Sequence, residues 1–218
     1  GGTQEAIRLA CQQRTKPLHF ISSLSVFAPE VTEMYEDADL GSPELLENGY
    51  VETKWVADKI VSLAGQRGLP VTIHRVSGVA GMLANGGFTL VKDNFYRAIL
   101  TAVQLNMGLD SPLGEDNFVP ADYACQAIVY LSSQRHLLGK TFHVGNPQNT
   151  RANLGYKALL SLGYNIRLLP PKQWQTELLR RAKDDPEIGL HPLLSLFTHY
   201  DFEREPEHIL FDGRNTLA

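Results

Sequence analysis

Apolar residues recur at three- and four-residue steps between Gly49 and Gln66, where Val51, Trp55, Val56, Ile60, Val61 and Ala64 share a helical face. This pattern predicts a long amphipathic helix, ended by Arg67-Gly68-Leu69-Pro70. Two apolar runs of another kind flank it. Leu18-His19-Phe20-Ile21-Ser22-Ser23 passes from apolar residues into small hydroxyl residues, as a buried parallel strand ending at a site does. Val71-Thr72-Ile73-His74-Arg75-Val76 is β-rich and lies between a Gly-Pro break and a Gly78/Gly81 turn. Strand, helix and strand in that order form a βαβ unit, so the sheet is expected to be parallel and the fold class α/β.

The remaining elements follow from the same periodicities. Thr3 to Gln13 reads as a helix with Thr3 as N-cap, and Ala28 to Asn48, acidic and interrupted by Pro29, Gly41 and Pro43, reads as a loop with at most one helical turn. Further helices are expected over Asp93 to Leu105 and Asp122 to Ser132, with a loop reaching Pro120 between them and a short strand over Thr141 to Val144. Beyond Asn146-Pro147 helical segments near Ala152 to Leu162, Lys172 to Lys183 and His191 to His199 surround one strand at Asn165 to Leu169. The expected division is therefore residues 1–147, α/β, and residues 148–218, a small and mainly helical lobe.

Composition adds mostly exclusions. With 218 residues, 43% hydrophobic and 20% charged, the chain has the make-up of an ordinary globular protein with a sizeable core. A formal charge of -4 offers no basic excess for nucleic acid or an anionic membrane surface, and no 18-residue apolar run or signal sequence occurs. Cys11 and Cys125 follow no metal or redox spacing, which suits free thiols in a reducing cytoplasm. No two histidines or cysteines pair at helical spacing, so no metal site is expected. His74 and His143 read as packed strand residues, Asp37, Asp39, Glu44 and Glu47 as a solvated acidic loop, and Cys125 as a buried thiol.

The chemistry concentrates in Tyr50-Val51-Glu52-Thr53-Lys54 and in the hydroxyls that end the first strand. Residues four apart on a helix share a face, so the Tyr50 phenol and the Lys54 ammonium can approach one ligand. A tyrosine of ordinary pKa, about 10, is a poor proton donor near neutrality, and a neighbouring cation favours its phenolate. Ser23 could hold a substrate carbonyl while Tyr50 donates a proton to its oxygen, which equips the site for hydride addition. Tyr-x-x-x-Lys alone is a weak motif; its place between a Ser-ending strand and a second strand gives it weight.

Several further segments occur in a telling order. Gly2-Thr3-Gln4-Glu5-Ala6, Pro17 through Phe27 with Ser22-Ser23-Leu24-Ser25-Val26-Phe27, Tyr50 through Trp55, Pro120-Ala121-Asp122-Tyr123-Ala124, and Phe142-His143-Val144-Gly145-Asn146-Pro147 follow one another, with Leu162-Gly163-Tyr164 and Trp174 after them. Together they resemble the C-terminal two-thirds of the extended short-chain dehydrogenase/reductase fold. Within it they resemble the thioester reductase domains that end nonribosomal peptide and polyketide synthetases, and the carboxylic acid reductases. The resemblance implies the C-terminal part of a Rossmann-like doubly wound parallel sheet, with a substrate-binding lobe over residues 148–218. It implies NADPH as hydride donor and, as partner, a phosphopantetheinylated carrier domain bearing an acyl thioester that is released as an aldehyde or, after further reduction, an alcohol. It places Ser23 as the hydroxyl on the substrate carbonyl, Tyr50 as general acid and Lys54 on the nicotinamide ribose, with Ser22 and backbone near Val76 and Val79 as further cofactor contacts. Trp174 and the later helices would line the acyl and pantetheine channel.

Two departures limit the likeness. Arg75-Val76-Ser77-Gly78 stands where these reductases carry Arg-Pro-Gly. Their Gly-rich phosphate turn would lie upstream of Gly1, and neither Gly78-Val79-Ala80-Gly81 nor Gly86-Gly87 has the strand-turn-helix setting to replace it, so these residues alone are expected to be inactive. The alternatives are another extended short-chain enzyme, such as a nucleotide-sugar epimerase or carbonyl reductase, or a non-catalytic fragment.

Overall fold

A strand buried on both faces needs cover on both, and the run Val71–Val76 is buried along its whole length, Thr72, His74 and Arg75 included. The computed structural model describes residues 1–28, 31–46, 49–84, 94–110, 115–198 and 210–217. Its elements begin with α1 (Gly2–Cys11), β1 (Leu18–Ser23), β2 (Glu33–Met34), α2 (Gly49–Gln66), β3 (Val71–Val76), β4 (Gly78–Ala80), α3 (Asn94–Leu105) and β5 (Met107–Leu109). They continue with β6 (Glu115–Asp116), β7 (Phe118–Pro120), α4 (Ala121–Ser133), β8 (Thr141–Val144), β9 (Thr150–Arg151), α5 (Leu154–Ser161), β10 (Arg167–Leu169), α6 (Pro171–Ala182), α7 (Leu194–Thr198), β11 (Leu210–Phe211) and α8 (Arg214–Leu217).

These elements gather into two units, one of residues 1–87, 117–148 and 208–218, the other of residues 88–116 and 149–207. A single cut after residue 147 does not describe this division. Segment 94–109 precedes that cut but joins the second unit, because β5 pairs with β10; segment 210–217 follows it but joins the first, because β11 pairs with β2.

The first unit holds a parallel sheet of order β1-β3-β8, as the alternation of strands and helices predicts. Its register sets Ser22 beside Arg75 and Arg75 beside His143, and one residue on it aligns Ser23, Val76 and Val144. The α1 and α2 helices cover one face through Ala10, Val61, Leu69, Val71 and Ile73. The α4 helix covers the other, with Val76, Val119, Ala124 and Val144 in contact. Burial of one such aliphatic side chain contributes on the order of 2 kcal/mol, so the two layers hold β3 firmly in the middle.

Several local expectations need correction. Gly1, not Thr3, caps α1, its backbone nitrogen donating to Gln4 Oε1 at 2.7 Å, so Thr3 lies inside the helix. Among the described residues of segment 28–48 the expected helical turn is present, Pro43–Leu45, but so is β2, and Met34 and Leu40 join an apolar cluster with Leu24, Val26 and Phe27. Gly78–Ala80 is not a turn but a strand, paired in parallel with β7. Cys125 is exposed rather than buried, since on α4 it lies about 100° round from the buried Ala124. Glu47, Gly86, Gly87, Asp93 and His199 lie outside the described residues.

In the second unit β5 pairs with β10 in parallel and β6 with β9 antiparallel. Its core contains Leu105, Met107, Leu169, Trp174, Leu178, Ala182, Ile188 and Leu190. Trp174, Leu178 and Ala182 recur every fourth residue along the inner face of α6, and Trp174 meets the Phe197 ring edge-on at 5.7 Å. Trp174 is therefore a core residue here and not an accessible wall of a channel.

Candidate active site

The C-terminal ends of β1, β3 and β8 form one edge of the sheet, where ligands bind in open α/β folds. Ser23 ends β1 and is partly buried. Its Oγ accepts from the Ser25 N–H at 3.2 Å and lies 2.8 Å from Ser25 Oγ, capping the turn Leu24–Val26. With Ser25 donating in that second contact, the Ser23 proton is available to a carbonyl oxygen.

The first turns of α2 carry Tyr50 and Lys54 on one helical face, and α2 packs along β1 and the turn that follows it. Lys54 Nζ reaches the carbonyl of Ile21, two residues before Ser23, at 3.5 Å. Tyr50 is 59% exposed, and its hydroxyl makes no hydrogen bond among the described residues. An exposed phenol and an ammonium with donors to spare, one turn apart at a strand end, fit the ribose of a nicotinamide nucleotide and an adjoining carbonyl oxygen. The pyrophosphate has no equivalent cradle among the described residues, because Gly78 belongs to β4 rather than to a turn opening a helix.

The other expected cofactor contacts are placed less openly. Ser22 is buried, and its hydroxyl donates to Asp58 Oδ2 at 2.6 Å, on the α2 side of the sheet. Val76 points into the cluster under α4, while Val79, in β4, leaves part of its side chain at the surface. The backbone donors between them are engaged: Ser77 N–H donates to the Val144 carbonyl and Gly78 N–H to that of Asn117, each at 3.0 Å. The sheet thus brings Ser23 and Val76 to one edge with Lys54 beside it, Val79 sits one strand further on, and Ser22 faces inward.

Several polar residues that shape this edge are absent from the sequence-based set. Asp58 and Arg75 form a buried ion pair, with Arg75 Nε donating to Oδ2 and Nη2 to Oδ1, both at 3.1 Å. The Arg75 guanidinium also lies over the Phe27 ring, 5.1 Å from its centroid. Asn117 and Asn146 exchange bonds, Asn117 Nδ2 donating to the Asn146 carbonyl and the Asn146 N–H to Asn117 Oδ1, each at 2.8 Å. This clasp holds the turn after β8 so closely that a Cβ at Gly145 would come 3.0 Å from Asn117 Oδ1. Glu36, also buried, accepts from the His143 N–H at 2.8 Å and from Thr216 Oγ1 at 2.7 Å. A signal for two of them was present: Asp58 interrupts the apolar face of α2 and Arg75 the apolar run of β3, with opposite charges.

Electrostatics follow burial and donors. Desolvation, then the nearby Arg75 cation, push the His143 imidazole down to about 4. Asp122, at the start of α4, is held below the usual carboxylate range by the backbone N–H groups of Leu83, 3.1 Å, and Ala84, 3.0 Å, from which it accepts.

A parallel βαβ sheet ending in Ser23, with Tyr50 and Lys54 at the head of its crossover helix, defines the class of extended short-chain dehydrogenases/reductases. Residues 1–128 match the family described as male sterility protein, a family of nicotinamide-dinucleotide-binding domains, and the chain belongs to that family. The chain superposes on the terminal R domain of the myxalamid PKS-NRPS biosynthetic pathway with a TM-score of 0.88 and 36% identity, over 99% of this chain and 55% of that one. It is 34% identical to isonitrile lipopeptide synthase of Streptomyces coeruleorubidus over 93% of its length, and 33% identical to a linear gramicidin synthase of Brevibacillus parabrevis over 84%. It spans only 14% and 4% of those two proteins.

Proposed function

We propose that the chain supplies the proton-donating and substrate-holding part of an NADPH-dependent reductase that releases an acyl thioester from the phosphopantetheine arm of a carrier domain as an aldehyde. The observation that carries this reading is the 36% identity with a synthetase R domain across 99% of the chain; the packing of α2, which carries Tyr50 and Lys54, against β1 and the turn that Ser23 caps supports it.

When bound, the nicotinamide supplies the hydride that adds to the thioester carbonyl carbon. The Ser23 hydroxyl donates a hydrogen bond to the carbonyl oxygen and orients it. The Tyr50 phenol transfers its proton to that oxygen as negative charge develops there. Lys54 donates to the ribose hydroxyls and stabilises the Tyr50 phenolate left behind. The hemithioacetal then breaks its C–S bond, its hydroxyl proton passing to the leaving sulfur, so that the pantetheine thiol and the aldehyde are released, and one proton from solvent restores the Tyr50 phenol. The preference for NADPH over NADH rests on resemblance to the synthetase reductases. A cytoplasmic setting is supported by two free cysteines. Among the described residues no helix is long and apolar enough to cross a membrane.

The test uses the full natural protein that carries these residues, incubated with an acyl-pantetheine thioester and NADPH, or NADH in parallel. Thioester-dependent oxidation of NADPH with aldehyde formed in equal amount is expected, and Tyr50→Phe should lower kcat by roughly 10²- to 10⁴-fold. Near-normal turnover in that variant would overturn the role given to Tyr50, and a wild-type protein inert toward thioesters would overturn the reading as a whole.

A further inference from the structure

We infer that Ser22, Asp58 and Arg75 form a buried positioning triad that sets α2 in register with the end of β1, and so places Lys54 and Tyr50 relative to Ser23. The inference rests on the reductase reading of the site. It gives Ser22 a role other than cofactor contact.

The three residues come from the three elements that build the site, and each neighbours a site residue: Ser22 precedes Ser23, Asp58 follows Lys54 by four residues on α2, and Arg75 precedes Val76. All are deeply buried, at 4%, 1% and 4% exposure. One carboxylate serves both partners. Asp58 Oδ2 accepts from Ser22 Oγ at 2.6 Å and from Arg75 Nε at 3.1 Å, while Oδ1 accepts from Arg75 Nη2. Phe27, just beyond the turn capped by Ser23, closes over the guanidinium.

Stability alone is a poor reason for such a group. An apolar cluster of matched shape is often as stabilising as a buried ion pair, because both charges must be stripped of water. Direction is what the pair adds. A two-point guanidinium–carboxylate bond specifies both the height of the helix along the strand and its rotation, while aliphatic contacts such as those of Val61 tolerate sliding. The reacting groups ride on the same helix, within about two turns of Asp58, and a misplacement of about 1 Å at a reacting centre can cost on the order of 10²-fold in rate.

The experiment compares Ser22→Ala, Asp58→Asn and Arg75→Lys in the full natural protein with Val61→Ala, a packing change on the same helix. The triad variants are expected to lose about ten- to a hundredfold in kcat, with a smaller loss of NADPH affinity than of kcat. Val61→Ala should lower the melting temperature at least as much as Ser22→Ala and keep kcat near wild type. Amide exchange in the first turns of α2, read without substrate, should quicken in the triad variants and not in Val61→Ala. If Asp58→Asn or Arg75→Lys fails to fold, Ser22→Ala decides, since it removes a single oxygen. Wild-type kcat and unchanged exchange in Ser22→Ala would sink the proposal. So would a Val61→Ala variant that loses as much rate for the same loss of melting temperature, or a Ser22→Ala defect confined to NADPH affinity. A wild-type protein inert toward thioesters counts against the proposed reaction alone, because the exchange comparison still judges the triad.

Discussion

Two histidines are enclosed in the first unit in their neutral form. His74 lies between Thr72 Oγ1, 3.0 Å, and Ser132 Oγ, 3.1 Å, and stacks on Phe142 with ring centroids 5.3 Å apart. Burial, then the neighbouring His19, push its pKa from 6.5 down to about 4, and burial followed by the Arg75 cation does the same for His143. Both shifts favour the neutral form in the fold, so between pH 6.5 and 4 the unfolded chain binds more protons than the native one. Stability is then fully present above about pH 6.5, falls as the pH drops through that window and levels off below about 4. At 1.36 kcal/mol per pKa unit, each histidine accounts for on the order of 3 kcal/mol. Thermal unfolding followed from pH 7.5 to 4 should show this loss, and a flat profile above pH 4.5 would contradict it. The same scale explains an omission from the sequence-based site. Asp58 and Arg75 each interrupt an apolar pattern, but only the fold shows that each is the other's partner inside the core.

Elements with several turns or six residues of pattern were legible before any coordinates. The bounds of β1, α2 and β3 are those the periodicity predicts, because each buries enough residues to impress a period of two or of 3.6 on the sequence. The strands β2, β5, β6 and β7 were not legible, since two or three residues carry no period and each finds its partner far along the chain. Short elements of this kind depend on local ties, and Asp122 is one. Its carboxylate, at the head of α4, holds the amides of Leu83 and Ala84 beyond β4. Asp122→Ala is expected to speed amide exchange at those two positions at least several-fold, with little change in the melting temperature. Unchanged exchange there would show that something else holds the segment.

At the scale of the whole molecule, residues at opposite ends of the chain meet on Glu36. Its carboxylate accepts from the backbone N–H of Asn215 and from Thr216 Oγ1, as well as from His143 in the sheet, and Asn215 Nδ2 donates to the Thr141 carbonyl at 3.1 Å. Leaving those donors unpaired by Glu36→Ala should cost about 2 to 4 kcal/mol, which for a chain of this size lowers the melting temperature by roughly 5 to 15 °C. Deleting residues 210–217 should cost at least as much, since β11 and the Asn215–Thr141 bond go with it, and the two changes combined should cost clearly less than the sum of the two, since both remove the bonds of Glu36 to Asn215 and Thr216. Simple additivity would refute the clamp. Glu36 is buried beside acids expected to be solvated, and of those Asp37, Asp39 and Glu44 are exposed, with Asp39 paired to Lys59. By itself the sequence determined the parallel α/β class, the main strand–helix–strand, and the placing of Tyr50 and Lys54 on one helical face after a strand that ends in Ser23, because periodicity and an i, i+4 pair are local properties that survive without neighbours. Only the tertiary structure decided which acid is buried, which serine faces inward, and that two stretches distant in sequence complete each unit. Those outcomes depend on desolvation and on pairing between segments remote along the chain, and neither leaves a mark on any short window of residues.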